Sequence, residues 1–109
     1  MSEAERIPLT KDAVRQSVIS RNYRFSQHAE VEREADLITV SEFNEAFCNS
    51  IEILEERRED ARGYSCLVLG FTREHKPIHA VFGRAGDILV IVTVYRPDAR
   101  LWIDWRRRK

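Results

Sequence analysis

The chain has 109 residues, 43% of them hydrophobic, and 18 Lys and Arg balance 18 Asp and Glu. This length is enough for one hydrophobic core and too short for two. No apolar stretch approaches the ~20 residues of a membrane helix, the charged start Met1–Arg6 lacks the apolar core of a signal peptide, and the two cysteines form neither metal-ligand spacing nor a disulfide framework.

The expectation is a cytoplasmic protein with no membrane partner, in which Cys48 and Cys66 are reduced packing residues. In chain order, Leu9-Thr10-Lys11-Asp12-Ala13-Val14 reads as a helix start, with Thr10 as cap and Leu9 stapling onto Val14. Val14 and Val18 mark its apolar stripe, and Asn22 is the expected left-handed stop. Asn22 to Phe25 is a short strand with Tyr23 and Phe25 on one face. Ser26 caps a second helix over about Gln27–Leu37. Its apolar stripe is read as His28, Val31, Ala35 and Ile38. A third helix from Val40 or Ser41 to Asn49 buries Val40, Phe43, Ala46 and Phe47.

Ile51–Glu56 alternates as a half-exposed strand, and Arg58–Gly63 is a charged loop. Three apolar strands follow at Ser65–Thr72, Pro77–Phe82 and Ile88–Tyr95, joined by turns short enough for antiparallel hairpins. Pro97 ends the sheet. Ala99–Trp105 is a short helix or edge segment, and Arg106–Lys109 a frayed basic end. The order predicts an α+β domain, a mixed and mostly antiparallel sheet packed against two or three helices, with one sheet face left for a substrate or partner. It divides into a helical extension at 1–22, the domain at 23–105 and a basic tail at 106–109.

Charge is uneven along this order: residues 1–29 carry +2, 30–60 carry −8 and 61–109 carry +6. The basic strand half fits either a polyanion site or a solvated surface with a charged tail.

Tyr23-Arg24-Phe25-Ser26-Gln27-His28-Ala29, Cys66-Leu67-Val68-Leu69-Gly70-Phe71-Thr72, Lys76-Pro77-Ile78-His79 and Val92-Thr93-Val94-Tyr95-Arg96-Pro97-Asp98 with Trp102 together resemble a prokaryotic domain-of-unknown-function family. That family looks related to toxins of the RelE, BrnT and MqsR type. The resemblance spans about Tyr23–Trp102. It implies a RelE/BrnT-like fold, the toxin role in a type II toxin–antitoxin pair, metal-independent cleavage of RNA without a cofactor, and a zinc-finger or helix-turn-helix antitoxin as partner. Where family members carry Gly-Arg before the proline, this chain has His75-Lys76, and lysine lacks arginine's planar fork.

Metal-free RNA cleavage needs groups that move protons near neutral pH and cations that hold a phosphate. The proton-transfer candidates are His79, His28 and Tyr95, and the substrate-binding candidates are Lys76, Arg96, Thr93, Arg73 and Arg100. His79 alternates against Phe82, so if Phe82 faces the helices His79 lies on the open face. A hydrogen-bonded strand histidine fits the same pattern. His28 sits on the stripe that turns inward, which gives it a buried structural role or a place near the site at the helix start. Thr93 and Tyr95 are expected to share a face with Leu89 and Ile91. The rival function is a non-catalytic, toxin-like module that binds a protein through its open sheet face.

Overall fold

The computed structural model describes residues 7–58 and 63–109. Three helices, α1 (Lys11–Ile19), α2 (Gln27–Ala35) and α3 (Val40–Phe47), and five strands, β1 (Tyr23–Phe25), β2 (Ile51–Arg57), β3 (Ser65–Phe71), β4 (Pro77–Ala85) and β5 (Ile88–Tyr95), make an α+β fold. Two very short strands follow, β6 (Trp102–Ile103) and β7 (Arg107–Arg108). The main sheet has the order β1-β5-β4-β3-β2. β1 runs parallel to β5 and the other pairs are antiparallel. The sheet is therefore mixed and mostly antiparallel, as the turn lengths predict. Most of the loop expected at Arg58–Gly63 lies outside the described residues.

Local chemistry explains where the helices begin. The hydroxyls of Thr10, Ser26 and Thr39 accept from the backbone N–H groups of Ala13, Ala29 and Glu42 at 3.0–3.1 Å, each satisfying a free first-turn donor. α1 ends through Arg21 at φ 60°, one residue before the expected Asn22. Leu9, Val14 and Val18 belong to the same buried cluster as the strands, so the division at residue 22 does not divide the core.

One face of the sheet packs against the helices. Phe82 meets Phe47 edge-on at 5.5 Å, and Phe43 lies between Phe47 and Phe25. Cys66, Val68, Ile78, Ala80, Ile91 and Val94 complete this layer, all of them buried. Burial pushes the Cys66 thiol up to about 12, leaving it an inert packing group. Cys48 is half-buried and also unpaired.

α2 differs from the sequence reading. Its buried residue is Ala29, while Val31 is 64% exposed. The reason is that α2 works largely through polar groups. β1 has only three residues, which leaves the neighbouring edge of β5 bare beyond Ile91. The chain covers that edge itself. Ser26 donates its N–H to the Ile91 carbonyl (2.9 Å) and its hydroxyl to the Val92 carbonyl (3.0 Å). Glu32 accepts from the Val94 N–H (3.3 Å) and Asp36 from the Arg96 N–H (2.8 Å). A helix that satisfies strand donors needs carboxylates on its inner side, so the apolar stripe is narrow.

The C-terminus is neither a helix nor a frayed tail. β6 and β7 pair as a hairpin, Trp102 opposite Arg108 and Ile103 opposite Arg107. Asp104 and Trp105 occupy its turn at φ 54° and 62°, closed by the Arg106 N–H donating to the Ile103 carbonyl at 3.0 Å. Two successive left-handed residues match the twist of a tight hairpin.

Candidate functional site

The second face of the sheet is built from residues that register across four or five strands. Arg57, Ser65, Gly83, Val90 and Arg24 form one row from edge to edge. Glu55, Leu67, Val81 and Thr93 form the next, followed by Glu52, Leu69, His79 and Tyr95. A β-bulge decides this arrangement. Val81 pairs with Thr93 but Phe82 pairs with Ile91, so Val92 is an extra residue on β5. The bulge reverses the alternation beyond it. Leu89 and Ile91 face the helices, whereas Thr93 and Tyr95 face away, which corrects the expectation that all four share a face.

His79 lies opposite Tyr95 on this second face, as its alternation with Phe82 requires. It is nevertheless fully buried. The cover is the C-terminal hairpin. Trp102 stands edge-on to the imidazole at 4.5 Å, and the Trp105 carbonyl lies 2.8 Å from Nε2. Nδ1 is 3.2 Å from the Tyr95 hydroxyl. A carbonyl can only accept, so Nε2 carries the hydrogen and Nδ1 accepts from the phenol. The result is a chain in which Tyr95 donates to His79 and His79 donates to Trp105.

Burial lowers the His79 pKa, and the Arg108 guanidinium adds to this, against the Trp105 carbonyl and Glu55, which pull it up. Burial likewise raises the Tyr95 phenol, opposed by Arg108 and reinforced by Glu55 and Glu32. At rest the pair is a neutral imidazole and a neutral phenol.

Tyr95 also lines a cleft of about 500 Å³ over the open part of this face, with Thr93, Glu55, Arg24, Arg57 and Arg108 around an apolar floor that includes Leu67, Val81 and Val90. Arg108 is committed to Glu55 by two bonds of 2.9 and 3.0 Å. Among the described residues Arg24 and Arg57 have no ion-pair partner. They end the first row on opposite edges of the sheet, four strand spacings or ~19 Å apart. The sequence reading passed over both. Arg24 alternates with Tyr23 and Phe25, which was the available signal, but its place beside β5 comes from the parallel pairing.

The remaining candidates lie elsewhere. His28 is on the helix side, with its side chain 69% exposed and 3.2 Å from Glu32; it is neither buried nor near His79. Arg96 ties β5 to the α2–α3 connection. Its Nε donates to the Asp36 carbonyl (3.0 Å), and Nη2 to the Leu37 carbonyl (3.2 Å) and Glu42 (2.7 Å). Holding these partners, it does not enter the cleft. Arg100 pairs with Asp98 at 2.7 Å on the surface. Lys76 sits in the β3–β4 turn, its N–H bonded to the Thr72 hydroxyl at 3.1 Å. Arg73, in the same turn, lines a different cleft beside Val18 and Asn44 of α1 and α3. Of the eight candidates, the structure gathers only His79, Tyr95 and Thr93. Among the described residues no group of three or more His, Cys, Asp or Glu is placed to hold a metal, and no helix is long and apolar enough to cross a membrane.

Residues 25–96 match a family profile described as "Domain of unknown function (DUF4258)". No curated protein and no solved structure matches the chain.

Proposed function

The chain belongs to the DUF4258 family, and we propose that this member is the toxin of a type II toxin–antitoxin pair, a relative of the RelE, BrnT and MqsR type that cleaves RNA in the cleft over its second sheet face. The observation behind this reading is the position of Tyr95, which faces the cleft on one side and bonds His79 on the other. A single strand lying along the first two rows meets Arg24 and Arg57 with its phosphates and the apolar floor with its bases. The 2′-hydroxyl passes its proton to the Tyr95 oxygen as Tyr95 passes its own to Nδ1 of His79. The 2′-oxygen then attacks phosphorus, and the 5′-oxygen leaves with a proton from solvent. The imidazolium returns its extra proton through the phenol to solvent, which replaces the proton taken up by the 5′-oxygen and leaves a 2′,3′-cyclic phosphate and a 5′-hydroxyl. An incoming phosphate offsets the burial that keeps His79 neutral, because a nearby anion favours the charged imidazole.

Induced expression tests this reading, with and without a zinc-finger or helix-turn-helix antitoxin. Growth arrest with RNA cleavage, both abolished in a folded Tyr95→Phe variant, supports it.

A non-catalytic binding module is the second reading. It is favoured by the burial of His79 and the satisfaction of both its ring nitrogens. RNA or antitoxin binding without any cleavage supports that alternative.

A further inference from the structure

The cover over His79 has an unusual construction. It is a hairpin of two residues per strand that buries Trp102 and aims the Trp105 carbonyl at Nε2. Its turn places Trp105, a bulky residue, in the left-handed region, where glycine or asparagine is at ease. Its attachment to β2 is electrostatic and at the surface. Arg106 reaches Glu52 at 2.6 Å and Arg108 reaches Glu55 at 2.9 Å, with all four side chains more than a third exposed. Pairs of this kind are weak and are screened by salt. Beyond Trp102 and the Trp105 carbonyl, a strained turn and exposed ion pairs are what keep the hairpin down, yet it shuts off the one fully buried histidine.

We propose that the β6–β7 hairpin is a displaceable cover that closes His79 off from the cleft, with the Arg106–Glu52 and Arg108–Glu55 pairs as its latch. Lifting it removes Trp102 from the ring and releases Nε2 from the Trp105 carbonyl, so that Nε2 becomes available while Nδ1 stays with Tyr95. The closed form is then the resting form. Its consequence for activity rests on the RNA-cleaving reading above, but the opening itself does not.

The chain has three histidines, and two of them, His28 and His75, are exposed, so they serve as internal references for His79. Diethyl pyrocarbonate, which acylates accessible neutral imidazole, is applied to the full chain, and each histidine's modification is followed by peptide mass spectrometry. In the wild type His79 should react far more slowly than His28 and His75, and faster as salt is raised. Glu52→Arg should speed His79 by about three- to fivefold, the order expected for one lost surface pair, without changing His28. Arg106 also holds the Asp104 carboxylate at 3.0 Å, so the reversed pair is built on an Asp104→Asn background, where the double variant Glu52→Arg/Arg106→Glu should return His79 to the rate of Asp104→Asn alone.

Equal rates at His79 in the wild type, the single variant and high salt would overturn the proposal. So would failure of the double variant to restore protection while both proteins keep their circular dichroism. Should Glu52→Arg misfold, the salt series on the wild type decides alone. A cover that opens as expected with no RNA cleavage in any variant sinks the nuclease reading and leaves the cover standing.

Discussion

Gly70 of β3 lies directly beneath Ala46 of α3: a β-carbon built on Gly70 would stand 2.9 Å from the Ala46 carbonyl carbon and closer still to its oxygen. The obstacle is helix backbone, fixed in place by Phe43 and Phe47, which are fully buried. Gly70→Ala must push α3 off the sheet, with an expected cost of about 2–3 kcal/mol, in the range of overpacked cores. Urea unfolding measures it. A loss under about 0.5 kcal/mol, the ordinary scatter of a surface substitution, would mean that α3 is free to shift.

Arg96 should prove structural. Its guanidinium joins two backbone carbonyls and Glu42 across the α2–α3 connection. Arg96→Ala should destabilise the fold by about 1–3 kcal/mol and leave RNA affinity at its wild-type value once folded protein is compared. A drop in affinity without a drop in stability would instead place Arg96 in the binding surface.

Arg24→Glu and Arg57→Glu should behave in the opposite way. Both side chains are at the surface of the open face, so stability should change by no more than about 0.5 kcal/mol. Affinity for single-stranded RNA should fall, and the slope of log affinity against log salt should shrink by roughly one phosphate contact per arginine. Fluorescence anisotropy across a salt series provides both numbers, and an unchanged slope would remove these residues from the interface.

His79 sets an acid limit on stability. Burial holds its pKa below the usual value of about 6.5. The unfolded chain therefore takes up a proton near pH 6.5 that the folded chain refuses. Stability is full above that pH and falls as the pH drops from about 6.5 towards the folded pKa, with a slope approaching about 1.4 kcal/mol per pH unit for one proton. Carboxylates with depressed pKa, such as Glu55 beside Arg108, lose their contribution only at lower pH. Denaturant midpoints between pH 7 and 5.5 should fall in the wild type and flatten in His79→Phe; equal slopes in the two would assign the proton to another group.

The sequence revealed much of this fold because its signals were local. Thr10 and Ser26 cap where they were expected to, and Pro97 follows the last strand of the main sheet. Short turns made β3, β4 and β5 antiparallel, and the alternation of His79 against Phe82 placed the imidazole on the correct face. What it hid depends on single-residue insertions and on partners distant in the chain. Ile88 to Val92 is apolar throughout, so nothing in it marks Val92 as the bulged residue, and Leu89 and Ile91 were assigned to the wrong face. The Asp104–Trp105 turn lacks the glycine that usually advertises a tight hairpin, which made the end of the chain look like a loose tail. His28 falls on a stripe that reads as apolar, whereas the inner side of α2 and its C-cap offer Glu32 and Asp36 to bare strand donors.

Cleavage of an end-labelled single-stranded RNA by purified wild-type protein and by Tyr95→Phe bears on the proposed nuclease centre without intermediaries. The variant keeps its ring and loses one hydroxyl, so its fold should survive at a cost of about 1 kcal/mol. The wild type should give cyclic-phosphate products, and the variant a rate at least about a hundredfold lower, the scale of a lost proton-transfer group. Cleavage by Tyr95→Phe at the wild-type rate would contradict the proposed centre.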